Sequence, residues 1–260
     1  GELLLAHFSA QPITMSKIGA TSVRQFVLGD HKRSAGSIRV IGGAVGCYLR
    51  FRSMSGDRIS ELMAAIPRAA HWRLASLPEV LSDAEIDELL QSFDQPFPSH
   101  RRAYAMTRCL IDLGLRSSEV VNLRLEDINW AEGTISLIGS KGRRADVLPL
   151  LSATGTAIAA YLREERPETS NRAIFVRHVA PYDAPIEKGV VKRAVLAGYR
   201  RCGWTRTGVH ILRHSMASRL LRTGVPMKDI ADVLRHRSLD TSAIYAKVDL
   251  TKLSAVALPW

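Results

Sequence analysis

Apolar residues recur at helical spacing along most of this chain, and an alternating pattern replaces that period only briefly, near the middle. In the front part, residues 21–28 and 37–54 read as helices, the second with Ile38, Ile41, Val45, Tyr48 and Leu49 at helical spacing. A third, short helix is predicted over residues 57–66. Further on, Ser82-Asp83-Ala84-Glu85 has the form of a capping box, with Ser82 as N-cap and Glu85 three residues later, so a helix is expected from there to about Ser92. The next spans residues 99–113 and stops at Gly114, a residue suited to the left-handed conformation that closes helices. Residues 134–138 and 145–150 are β-prone runs joined by Gly139-Ser140-Lys141-Gly142-Arg143-Arg144, which predicts a hairpin with a basic tip. Everything after Ser152 is again helical, with segments at residues 154–166, 185–202, 209–222, 227–234 and 239–247 and a short last one from about Thr251. No internal repeat or low-complexity tract interrupts this order. The expected fold is mainly α with one small antiparallel β-sheet.

The stretch PRAAHWRLASLP, with Pro67 and Pro78 at its ends, has no long apolar period and reads as an extended linker. It divides the chain into a helical domain at residues 1–66, a linker at 67–78 and a larger domain at 79–260. With 260 residues, 46% of them hydrophobic, the chain can bury a real core, which excludes a disordered tail or a disulfide-stapled mini-protein. Cys47, Cys109 and Cys202 show no CxxC spacing and are expected to be reduced core thiols. The longest apolar run, VIGGAVGCYL at residues 40–49, is about half of what a bilayer span needs, so no membrane crossing is expected. The apolar LLLA at residues 3–6 follows Glu2 rather than a basic region, so no signal peptide is predicted and a cytoplasmic protein is expected. The chain opens on Gly1 rather than Met, which reads as a tag remnant or a truncation point.

Charge narrows the class of partner. Lys and Arg number 36 against 25 Asp and Glu, a net charge of +11, which calls for a polyanion: nucleic acid first, an anionic membrane surface second. Residues 1–75 hold 10 Lys and Arg and 4 Asp and Glu, so the front segment is the more basic per residue. Arg39 and Arg50 there, with Arg143 and Arg144 on the hairpin tip, are candidates for DNA contact.

Several short constellations could carry chemistry. In His210-Ile211-Leu212-Arg213-His214, His210 and Arg213 share a helix face and can converge on one anion; taken alone, the pair reads as a basic solvated face. His210 and His214 have the i, i+4 spacing of a metal pair, but Ile211 stands where a zinc protease has its glutamate and no third ligand is evident, so no metal site is expected. Arg116 opens a helix with Glu119 one turn on, which alone reads as a surface cap with an ion pair. His236 and Tyr245 follow downstream, the tyrosine between the small residues Ala243 and Ala246. Together, two arginines, a hairpin lysine, two histidines and a tyrosine suit phosphodiester chemistry without a metal. Arginines clamp the non-bridging oxygens, tyrosine is a nucleophile, and lysine and histidine move protons.

The segments GLRSSEVVNLRLEDI (114–128), SKGRR with LPL (140–150), HILRH (210–214) and LRHRSLDTSAIYAKVD (234–249) resemble, in order and spacing, the catalytic motifs of the tyrosine recombinases, or phage integrases. The match extends from about Leu77 to Asp249, and the front segment resembles that family's helical core-binding domain. The resemblance implies a two-domain clamp on double-stranded DNA and site-specific strand exchange of the kind that moves mobile genetic elements by integration or transposition. It implies Arg116 and Arg213 as the phosphate clamp, Lys141 as general acid, and His210 and His236 as phosphate ligands. Tyr245 becomes the nucleophile and Glu119 a supporting carboxylate. It further implies a tetramer in synapsis with the tail after Tyr245 docked on a neighbour, although the sequence equally allows the tail to pack on its own protomer; it also implies no cofactor, accessory DNA-bending or directionality factors, and a place at the bacterial nucleoid. The chain departs from the pattern at Arg235, where many members have glycine, so the helix end is expected to lose its left-handed residue, and at Lys247, where many have histidine. A type IB topoisomerase shares the chemistry and is the alternative enzyme; a catalytically idle DNA-binding regulator with a helix-turn-helix at residues 225–248 is the alternative of another class.

Overall fold

The computed structural model describes residues 18–29, 33–67, 78–94, 96–138 and 145–235. The chain divides into two compact units, Gly1–Ser76 and Leu77–Trp260. Of the expected linker only Pro67 and Pro78 are among the described residues.

The described part of the first unit is three helices, α1 (Ala20–Leu28), α2 (Ala35–Ser53) and α3 (Ser60–Ala64). Ser34 caps α2 by accepting from the amide of Ser37, which satisfies one of the orphan donors of the first turn. Val23 and Val27 of α1, Val45 and Leu49 of α2 and Leu62 of α3 meet in one buried cluster. The predicted third helix shrinks to five residues. Asp57 is drawn into an ion pair with Arg52 at 2.6 Å, which holds the preceding turn and keeps residues 57–59 out of the helix. The expectation of three core thiols fails at Cys47, which is exposed on the outer side of α2 with Val40, Phe51 and Met54; Cys109 is buried and Cys202 intermediate. Burial in an apolar site pushes the Cys109 thiol up to about 12, so it stays protonated.

In the second unit α4 (Asp83–Gln91) begins with the predicted capping box: the amide of Ser82 donates to Glu85 Oε2 at 2.7 Å and the amide of Glu85 donates to Ser82 Oγ at 3.2 Å. Helix α5 (His100–Asp112) buries most of its length, from Ala103 to Ile111, and ends at Leu113, after which Gly114 turns left-handed at φ +57°. Helix α6 (Ser117–Asn122) and a 3-10 turn (Leu125–Asp127) lead into a three-stranded antiparallel sheet in the order β1 (Ile128–Asn129), β2 (Thr134–Ile138), β3 (Ala145–Pro149). The hairpin β2–β3 is the predicted one, with Ile135, Leu137 and Leu148 turned to the core. Its basic tip lies outside the described residues. Strand β1 has two residues, too few for any alternation to be read.

Helices α7 (Ser152–Glu164), α8 (Lys188–Arg201), α9 (His210–Arg222) and α10 (Met227–Val233) complete the described part. Helix α8 starts three residues later than predicted because Pro185 is taken up by an isolated bridge to Val176. Helix α4 packs tightly on α8 at Gly198, where a Cβ would sit 2.8 Å from Leu89 and 3.1 Å from Phe93. Helix α9 is buried along Ile211, Leu212, Ser215 and Ala217. The Ser215 hydroxyl accepts from the amide of Leu81 at 2.7 Å.

Candidate active site

Four element ends converge where α5, α6, α9 and α10 meet. Gly114 lies just past the C-terminus of α5, Arg116 is the N-cap of α6, Arg213 sits one turn into α9, and Leu234 and Arg235 close α10. The carbonyls of Gly114 and Leu234 belong to helix ends and have no partner within their own helices. The Arg213 guanidinium supplies it, donating through one terminal nitrogen to Gly114 and through the other to Leu234. The side chain is 4% exposed, so a buried cation rests on the negative ends of two helix dipoles. Only glycine fits at position 114: its φ is left-handed, and a Cβ would lie 2.9 Å from Leu234 Cδ2 and 3.0 Å from Met216 Sδ.

Arg116 is more open, its side chain 38% exposed. Its amide donates to Glu119 Oε2 at 2.7 Å, closing the first turn of α6, and its guanidinium donates to Glu119 Oε1 at 2.8 Å and to the carbonyl of Arg235 at 3.3 Å. The pair is therefore no free surface cap: Glu119 also accepts from Arg235 at 2.8 Å. Burial alone would push the Glu119 carboxyl up, but the Arg116 amide and the Arg235 guanidinium outweigh it and hold the group below the usual carboxylate range. Arg235 was expected to deprive the helix end of its left-handed residue; it takes that conformation itself, at φ +52°.

His210 is exposed at the first position of α9, with Arg213 one turn on. His214 is half-buried, and burial, with the charges of His210 and Arg213 beside it, lowers its pKa. Among the described residues no group of three or more His, Cys, Asp or Glu is placed to hold a metal ion. No described helix is long and apolar enough to cross a membrane. Arg39 and Arg50 stand exposed on α2 beside a groove lined by Gly42, Gly43 and Gly46. Lys141, Arg143, Arg144, His236, Tyr245 and the tail lie outside the described residues, as does the second half of the suggested helix-turn-helix.

The structure thus brings together Arg116, Glu119 and Arg213 of the predicted set and adds what was not foreseen: Arg235, and the Gly114 and Leu234 carbonyls that hold Arg213. A charged residue at a helix end where glycine was expected was the one legible signal for Arg235.

The sequence pattern of the phage integrase family matches residues 79–252. The chain belongs to that family, the tyrosine recombinases. The integrase/recombinase y4rA of Sinorhizobium fredii (strain NBRC 101917 / NGR234) is 38% identical over the whole of this chain and 64% of its own length. The chain therefore spans less than two thirds of that relative. Among solved structures, the XerH site-specific recombinase in a post-cleavage complex with a palindromic difH substrate has a TM-score of 0.73 at 20% identity, over 96% of this chain and 75% of that one. A lambda integrase tetramer bound to a Holliday junction has a TM-score of 0.69 at 16% identity, over 94% of this chain and 69% of that one. These two establish the recombinase fold, mainly helical with a small antiparallel sheet, for this family member.

Proposed function

We propose that this tyrosine recombinase cuts and rejoins duplex DNA at specific sites through a covalent tyrosyl link. The observation that carries the proposal is the anchored arginine pair: Arg213, fixed on the carbonyls of Gly114 and Leu234, and Arg116, fixed on Glu119 and the Arg235 carbonyl, bring two guanidiniums to neighbouring carbonyls at the end of α10. Such a pair stabilises charge developing on the non-bridging oxygens of a phosphodiester. In this reading Tyr245, which lies within the matched residues 79–252, is the nucleophile. Its hydroxyl oxygen bonds to phosphorus, its proton passes to His210, and the P–O5′ bond breaks as Lys141 protonates the leaving oxygen. A 3′-phosphotyrosyl ester and a free 5′-hydroxyl result. Attack by a 5′-hydroxyl of the partner duplex reverses these bonds and returns the proton to Tyr245. The ester conserves the bond energy, so the exchange needs no nucleotide cofactor, and the arginines supply the charge that a metal would otherwise bring.

The domain division at residues 67–78, DNA contacts from Arg39, Arg50, Arg143 and Arg144, and phosphate contact by His236 belong to the same proposal. So does assembly of four protomers through the tail after Tyr245. XerH on its difH substrate and the lambda integrase tetramer on its junction support it by fold. Transposition or integration of a mobile element, at the bacterial nucleoid, is the setting in which such strand exchange would act.

The test is covalent trapping. A library of nicked duplexes with randomised sequence is incubated with the protein, and adducts that survive denaturation are isolated and sequenced. Wild type is expected to form them and Tyr245→Phe to form none while still binding DNA, because that change removes one oxygen and no phosphate contact. Adducts from the Phe variant would overturn the assignment. Relaxation of supercoils by a monomer without exchange between two sites would point to the topoisomerase instead.

A further inference from the structure

Arg235 stands in a conformation that arginine avoids. At φ +52° its Cβ crowds the backbone, a cost that glycine would not bear, yet the side chain is well held and only 10% exposed. One terminal nitrogen donates to Glu119 Oε2 at 2.8 Å and the other to the carbonyl of Val233 at 2.9 Å. The Arg235 carbonyl accepts from the Arg116 guanidinium at 3.3 Å. Since Glu119 Oε1 accepts from Arg116 as well, the contacts close a ring: Arg116 to Glu119, Glu119 to Arg235, and Arg235 back to Arg116. The next residue in the chain is His236.

We infer that Arg235 is a positioning residue for strand cleavage: through Glu119 and its own carbonyl it sets the Arg116 guanidinium. A simple helix cap would be a glycine. The arginine keeps the cap geometry and adds a second grip on the carboxylate that orients Arg116. Glu119 accepts from both guanidiniums, Oε1 from Arg116 and Oε2 from Arg235, so loss of the Arg235 grip frees the carboxylate to turn and to carry the Arg116 guanidinium with it. This inference rests on the recombinase reading above.

Arg235→Gly separates the two roles, because it relieves the backbone while deleting the grip. If Arg235 were a cap alone, the glycine variant would cleave as fast as wild type or faster. With a positioning role it is expected to fold and bind DNA yet lose cleavage on the order of 10- to 100-fold, the scale of a small misplacement in a reactive site. Arg235→Lys and Arg235→Met keep the backbone cost and differ in charge, so they decide the matter even if glycine upsets folding; lysine is expected to recover part of the rate and methionine none. In the background of Glu119→Gln, Arg235→Gly should add little further loss, since both changes break one ring. All variants are compared by single-turnover trapping on a nicked duplex recovered from the wild-type library. A wild type that forms no adduct overturns the recombinase reading and this inference with it. A wild-type adduct with an unimpaired Arg235→Gly, or with equal rates for lysine and methionine, overturns the inference alone.

Discussion

The amide of Leu81 donates to the Ser215 hydroxyl across 134 positions of sequence, at 2.7 Å and out of solvent. That hydroxyl in turn donates to the carbonyl of Ile211 at 2.8 Å, so the segment leading into α4 is tied to the middle of α9, two residues from Arg213. Ser215→Ala leaves a buried amide without a partner and is expected to cost about 1–3 kcal/mol of stability. Denaturant unfolding measures it; a change of a few tenths would mean that the amide finds another acceptor.

Gly114→Ala puts a side chain on a left-handed backbone and against Leu234, 2.9 Å away. A loss on the order of 2–4 kcal/mol is expected. Cleavage should fall with it, because the carbonyl that moves is the one holding Arg213. A variant with a wild-type melt and a wild-type rate would show that the turn tolerates a Cβ.

Arg116→Ala and Arg213→Ala are each expected to slow cleavage by ~10²-fold or more, on the order of 3 kcal/mol. Their effects on stability should part company. Arg213→Ala strands two helix-end carbonyls and lowers the melting temperature, whereas Arg116→Ala, at a half-open side chain, lowers it less. Equal melts with unequal rates would sever the brace from the chemistry.

Acid should weaken the second unit through its histidines. Burial lowers the pKa of His178, next to Arg102, and of His214, next to His210 and Arg213. Both folded values lie below the unfolded value of about 6.5, so the unfolded chain binds more protons as pH falls through that point. Their contribution is intact above about pH 6.5 and is lost progressively below it. Denaturation midpoints should therefore drop between about pH 7.5 and about pH 5.5, and His214→Gln should flatten part of that slope. A slope that His214→Gln leaves unchanged would assign the effect to other groups.

Lys141 is expected to behave as an acid rather than an anchor. Replacing the leaving 5′-oxygen by sulfur, which departs without a proton, should rescue Lys141→Ala and leave Arg213→Ala slow. Rescue of both, or of neither, would move the acid role to Arg143, Arg144 or a histidine.

The capping box at Ser82, the stop at Gly114 and the β2–β3 hairpin were legible because each is a local pattern with a local cause. Arg116, Glu119 and Arg213 were legible as motif members. Their anchors were not: the Gly114 and Leu234 carbonyls are backbone atoms with no sequence signature, brought to one guanidinium by packing between α5, α9 and α10. Arg235 was read as the loss of a left-handed cap, because propensity takes no account of an ion pair formed 116 residues away. Cys47 misled for a different reason: the lack of CxxC spacing does not say which thiols are buried, and α2 turns this one outward.

The guanidinium of Arg213 clasps two helix ends with the same group that is proposed to face the phosphate. Reactivity and rigidity therefore cannot be tuned apart at this position. An inert copy of the chain, made to occupy DNA sites and block an active one, is better built at Tyr245 than at Arg213, where the blocker would loosen as it was silenced.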